Sequence, residues 1–225
     1  MKILAIDTAT EACSAALDIN DSCSQRFEVA PRQHTALILP MVDELLSEAG
    51  IQINELDAIA FGQGPGAFTG VRIAIGVVQG LAFAHDLPVI PISTLAALAQ
   101  HFAKDQNCVA TAIDARMQEI YWGLYKKNDS GLMRLIIEES VCDPSEAIIP
   151  AEGDWFGAGS GWKTYSEELQ TRLSNKFLGF NGDILPTAED IMTLAKADLR
   201  ADKAISVEQA MPTYLRNKVA IKSHK

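Results

Sequence analysis

Two segments half a chain apart read alike: "LAIDTATEACSAAL" (4–17) and "TAIDARMQEIYWGL" (111–124). In register, Ile6-Asp7 falls on Ile113-Asp114 and Leu17 on Leu124, 107 residues apart in a chain of 225. Each is an apolar, β-prone run ending in Asp, then a turn and a second run, which reads as a hairpin. The elements after each hairpin are also ordered alike. After the first come a third strand (24–30), a helix (35–49) stopped by Gly50, a buried strand (57–61), an apolar helix to Ala84, the strand "LPVIPI" and a helix opened by Ser93. After the second come strands near 132–139 and 155–159 and helices near 164–174 and 187–201. Self-similarity over half the length points to duplication. The expected fold is α/β, with two duplicated lobes of mixed sheet and packed helices. The lobes are expected at 1–105 and 106–225, dividing near "KDQN" (104–107).

Charge narrows the function classes. The chain carries a net charge of −10, and its one basic cluster is terminal: Arg216, Lys218, Lys222 and Lys225. Phosphate contacts supply most nucleic-acid affinity, so the chain alone is expected to bind RNA weakly, and any nucleic acid it works with is expected to be held by another chain. The opening "MKILAIDTAT" enters a strand directly, without a basic region and a long apolar run. No apolar run is long enough to suggest a membrane span, so a cytoplasmic protein is expected. The four cysteines, Cys13, Cys23, Cys108 and Cys142, lack metal-ligand spacing and read as small buried hydrophobes.

The segment "FGQGPGAFTGVRIAIGVVQGLAF" (61–83) couples a Gly-rich loop to a helix with almost no polar residue. The loop is not a P-loop, because no Lys-Ser or Lys-Thr follows its last glycine, and it does not have dinucleotide spacing. Gly66, Thr69 and Gly70 could still offer backbone N–H groups to an anion, with Arg72 nearby; a plain tight turn is the competing reading. From Val71 to Ala84 only Arg72 and Gln79 are polar, and they lie 20° apart on the helical wheel. Exposing Val71, Ile75, Val77, Val78 and Leu81 would cost about 1.5–3 kcal/mol each. The helix at 35–49 is similar, with Leu37, Ile38, Met41, Val42 and Leu45 on a wide apolar arc. Either a second layer of the same lobe covers both helices, or they form a helical subunit interface. We favour the interface, made by Leu37, Ile38, Met41, Leu45, Val71, Arg72, Ile75, Gly76, Val78 and Gln79, with Gly76 and Gly80 allowing close approach.

Asp7 and Asp114 sit where one large ATPase superfamily holds nucleotide phosphates and metal. With Thr8 and Arg116 they form a candidate nucleotide site. Yet the turns "DTATEA" and "DARMQE" contain no glycine, which close approach of backbone to phosphate usually needs. The plainer reading makes both aspartates hairpin caps.

Together "ILAIDTATEACSAAL", "GPGAFTGVRIAIGVVQGLA", "IDARMQEIYWGLY" and "PTYLRN" resemble, from end to end, the TsaB (YeaZ) family. The resemblance implies the actin-like ATPase fold and a role in forming threonylcarbamoyl-adenosine next to the anticodon of tRNAs that read A-starting codons. It implies a non-catalytic subunit that pairs with and activates the TsaD transferase through two helices and forms a homodimer by the same surface when alone. The small ATPase TsaE joins the assembly, and ATP would belong to the assembled complex, not to this chain. The family usually has Ser in "GPGSFTG" where this chain has Ala67. The sister subunit's metal-binding histidine pair has no counterpart in "ISTLAALA" (92–99), and His34, His85, His101 and His224 include no i,i+4 pair, so no metal is expected. The competing functions are a small actin-like ATPase using Asp7 and Asp114, or a protease acting on its partner. For the protease, "GSG" (159–161) lacks the nucleophile frame.

Overall fold

The computed structural model describes residues 1–150 and 152–216, so Lys218, Lys222, His224 and Lys225 lie outside the described residues. The first half forms β1 (Lys2–Asp7), β2 (Ala12–Ile19), β3 (Ser22–Val29), α1 (His34–Ala49), β4 (Ala58–Gly62), α2 (Phe68–Phe83), β5 (Val89–Ile92) and α3 (Thr94–His101). The second forms β6 (Cys108–Arg116), β7 (Glu119–Lys127), β8 (Met133–Cys142), β9 (Trp155–Ala158), α4 (Ser160–Thr164), α5 (Ser166–Leu173), β10 (Phe177–Asn181) and α6 (Ala188–Arg200).

The duplication is visible in the topology. The first sheet is ordered β3-β2-β1-β4-β5 and the second β8-β7-β6-β9-β10. In each, the three hairpin strands are antiparallel and the last two run parallel to the first. β4 is buried at all five positions, as a central parallel strand should be. Local signals set the helix ends. Gly50 closes α1 in the left-handed region at φ 65°, and the Ser93 hydroxyl accepts the Leu95 and Ala96 amides at the start of α3. Thr187 caps α6, with Glu189 and Asp190 in its first turn and Arg200 in its last, in line with the helix dipole.

Two features of the second half carry little sequence signal. β10 is a short edge strand with a central glycine, partly or fully exposed throughout, so it lacks the alternation that marks a strand. The helix expected at 164–174 is α5 (Ser166–Leu173), and a further short helix, α4, precedes it across Tyr165. Cys23 is exposed, because β3 is an edge strand; Cys13 and Cys108 are buried as expected.

The lobes do not part cleanly at residue 105. α3 packs on the second sheet, joining Leu95, Leu98 and Ala99 to Val109, Ile113 and Tyr125. α6 returns to the first sheet, joining Ile191, Met192 and Leu194 to Ile3, Ala5 and Ile90. The Ala188 amide donates to Ser14 Oγ at 3.0 Å, and Lys196 Nζ lies 2.8 Å from the buried Asp18 carboxylate. Ile205 then bridges to Val89. The layers are therefore α1 and α2, first sheet, α6 with α3, second sheet, α4 and α5. Each half donates its last helix to the other's sheet, and this is the two-lobed arrangement of the actin-like ATPase fold.

Candidate functional site

Asp7 ends β1 and is completely buried. Its Oδ1 accepts the Ala9 amide at 3.2 Å, while Oδ2 has no hydrogen-bond partner in the protein. The fit is tight: a Cβ on Gly62 would overlap Asp7 Oδ1. Burial pushes the carboxyl up to about 7, against the lowering pull of the Ala9 and Thr8 amides, and the Asp190 charge adds to the rise. At about 7 the carboxyl is half protonated near neutral pH, and none of its atoms reaches solvent.

The Gly loop is closed by the chain itself. The turn after β1 lies against the start of α2: the Ala67 amide donates to Ala9 O at 2.8 Å, and the Thr8 hydroxyl donates to Gly70 O at 2.7 Å. A Cβ on Gly66 would overlap the Ala9 carbonyl, and one on Gly70 the Thr8 carbonyl. These glycines admit a neighbouring backbone, not an anion, and Thr69 remains exposed on the helix. Ala67 occupies the cap position without a side-chain acceptor. Replacing Gly66 by Ala should therefore lower stability by about 1–3 kcal/mol through overpacking, read as a lower denaturant midpoint at unchanged slope.

In the second lobe Asp114 is spent within its own turn. Its carboxylate accepts the Arg116 amide at 2.8 Å and the Arg116 guanidinium at 3.0 Å. The Ser160 hydroxyl of the "GSG" segment accepts the Asp114 amide at 3.1 Å. Among the described residues no cluster of three or more His, Cys, Asp and Glu side chains could hold a metal ion. The residues present do not fit a nucleotide. Asp7 offers no exposed atom, Asp114 is paired, neither hairpin turn has glycine, and neighbouring carbonyls fill the space beside Gly66 and Gly70.

The interface expectation needs correction for most of its members. Ile38, Met41 and Leu45 of α1 and Val71, Ile75 and Val78 of α2 are buried in the monomer, packed with Leu4, Ile6, Leu17, Ile59 and Phe61. They face the first sheet, and Leu37 is partly buried against the same core. A wide apolar arc demands an outer cover only if the outward face carries side chains, and here much of it does not. The outward positions of α2 are Thr69, Arg72, Gly76, Gly80 and Phe83, all exposed. At Gly76 and Gly80 a Cβ would meet nothing within 4 Å. Glycine replaces the polar face, and Gln79 turns aside to donate to Ala210 O at 3.0 Å.

The surface open to a partner is made by a different set of residues. Phe83 is 72% exposed, Phe68 58% and Leu39 of α1 50%, with Ile73, Val77 and Leu81 half-buried between. A groove of about 420 Å³ beside α2, lined by Gln79, Gly80, Phe83, Ala84, Val207 and Glu208, extends this face. The sequence signal that points to them is the 72-76-80 spacing, which puts both glycines on the Arg72 stripe.

The model of a family described as "TsaD: tRNA N6-adenosine threonylcarbamoyltransferase" matches residues 27–223. "tRNA threonylcarbamoyladenosine biosynthesis protein TsaB" of Escherichia coli (strain K12) is 42% identical, covering 99% of this chain and 97% of the relative. The protein of that name from Haemophilus influenzae is 43% identical over 99% of this chain and 96% of its own length. The solved structure "YeaZ from Pseudomonas aeruginosa" superposes with a TM-score of 0.89 at 48% identity, over 95% of this chain and 99% of that one. With full-length relatives at this identity and the same two-lobed fold, the chain belongs to the TsaB (YeaZ) family.

Proposed function

We propose that this chain is the non-catalytic partner subunit in forming threonylcarbamoyl-adenosine next to the anticodon of tRNAs that read A-starting codons. It docks on and activates a TsaD-type transferase. The single observation that carries the reading is the outward face of α2, a ridge without side chains at Gly76 and Gly80, flanked by exposed Phe68 and Phe83. Absent side chains let a second helix approach closely, and the flanking rings supply apolar area. The closed Asp7 and Gly-loop regions support the non-catalytic half of the reading. Nucleotide in the assembly then belongs to TsaD or to the ATPase TsaE, and tRNA is met through the complex, since a net charge of −10 opposes direct binding. Without its partner the chain pairs with a second copy through the same face. The working compartment is the cytoplasm; among the described residues no helix is long and apolar enough to cross a membrane.

The test is Gly76→Arg. The added side chain enters open space, so the lobe should melt as before. Association with TsaD, and with a second copy, should fall at least about a hundredfold, the equivalent of about 3 kcal/mol, and tRNA modification should be lost in cells depending on the variant. A folded Gly76→Arg protein that binds TsaD with unchanged affinity in sedimentation would place the interface elsewhere.

A further inference from the structure

After the last short turn (Val207–Gln209), residues 210–216 run across both lobes without helix or strand. Four contacts tie them to the first lobe. Gln79 of α2 donates to Ala210 O at 3.0 Å, and the Thr213 amide donates to Gln63 O at 2.8 Å. The Tyr214 ring stacks on Phe68 with centroids 6.1 Å apart. The Arg72 guanidinium lies 3.4 Å from the Phe68 centroid and 5.5 Å from that of Tyr214, so all three belong to one cation–π cluster. Two residues on, the chain reaches the second lobe. Arg216 donates to Ala115 O at 3.1 Å and Arg116 O at 3.3 Å, and pairs with Glu119.

The turn that Arg216 grips is unusual. Arg116, Met117 and Gln118 all lie in the left-handed region, at φ 62°, 57° and 61°. None is glycine, and L-residues adopt this conformation singly, seldom in a run. Such backbone persists where its surroundings over-determine it. Asp114 holds the Arg116 amide from inside the turn, and Nη2 of Arg216 meets two carbonyls and a carboxylate from outside, with Nη1 on Met117 Sδ at 3.7 Å.

We propose that residues 210–216 are a strap coupling α2 to the turn 115–119, with Arg216 the positioning residue that holds this turn. Displacing α2 or its first turn pulls the strap and loosens the turn in the other lobe; releasing Arg216 loosens the strap on Gln63 and Phe68. If α2 also carries the partner, in line with the function proposed for its outward face, docking is relayed to the second lobe, but the coupling stands without that reading. α3 also joins the lobes, its Thr94 amide donating to Gly64 O at 3.0 Å and its Leu95 and Leu98 packing with Ile113, but the strap reaches the turn itself through Arg216.

The test cuts one end and reads the other, by amide hydrogen exchange on the full-length chain. Tyr214→Ala, and separately Gln79→Leu, should speed exchange in the 112–122 peptide about tenfold, an opening of local and not global size. Arg216→Ala should speed exchange of the Thr213 amide and of residues 63–72 by a similar factor. Melting curves check that each variant is folded; if Tyr214→Ala is not, Gln79→Leu decides. If each substitution speeds exchange only at its own contact, or if Arg216→Ala leaves 115–119 unchanged, the segment is a passive tail and the proposal fails.

Discussion

Val78→Arg should unfold the first lobe. Val78 is completely buried, within the apolar cluster that seats α2 on β1 and β4. An arginine there either carries an unpaired charge into that cluster or forces α2 off the sheet. Breaking a core with an uncompensated charge costs about 4 kcal/mol or more, a large part of the whole stability of a domain this size. The variant should show an early melt or aggregation, and its loss of partner binding would follow from unfolding. Beside Gly76→Arg the contrast is sharp, since two arginines half a turn apart on one helix should unfold the protein in one case and only detach its partner in the other. If Val78→Arg keeps the wild-type melting temperature and circular dichroism, α2 is not seated on the sheet through this side chain.

Asp7→Asn should stabilise the protein above neutral pH and not below pH 4. The folded carboxyl sits at about 7 against an ordinary 3.8, raised first by burial. Between those values the folded chain keeps a proton that the unfolded chain has lost. More protons bound in the folded state means that stability falls as pH rises through this window, and the contribution present below 3.8 is gone above 7. Asparagine keeps an acceptor for the Ala9 amide and does not titrate. The stability difference between variant and wild type should therefore climb by on the order of 4 kcal/mol between pH 4 and pH 8, because each pH unit between the two pKa values contributes about 1.4 kcal/mol. Urea unfolding at several pH values reads it directly. A difference that is the same at pH 4 and pH 8 would show that Asp7 is ionised in the fold. The same measurement bears on function, because a nucleotide-binding Asp would be charged and exposed.

Much of the architecture is written locally. The hairpin ending in Asp, its return 107 residues later, Gly50 after a helical run and Ser93 before another are short-range signals. They act through backbone conformation and hydrogen bonds within a few residues, so they survive without knowledge of the opposing surface. The membership of the site is less legible. Ile38, Met41, Leu45, Val71, Ile75 and Val78 are as apolar as an interface requires, but a helix packed on a sheet requires the same residues. Periodicity gives the width of an apolar arc and not its direction. In α2 the usual cue to direction, a polar outer face, is replaced by Gly76 and Gly80.

Long-range contacts settle the rest. The glycines of the 62–70 loop read as phosphate binders or as turn formers, until the carbonyls of Thr8 and Ala9 are seen to fill the space beside Gly66 and Gly70. Asp7 reads as a ligand until its enclosure beside Gly62 is seen, with burial raising its carboxyl to about 7. The exchange of α3 and α6 between sheets, and the reach of Arg216 to Ala115 about a hundred residues back, depend on which surfaces meet once both halves have folded. Residue type and spacing decide what each segment can form, whereas burial and charge state belong to the pair of surfaces in contact, and half of each pair lies far away in the chain.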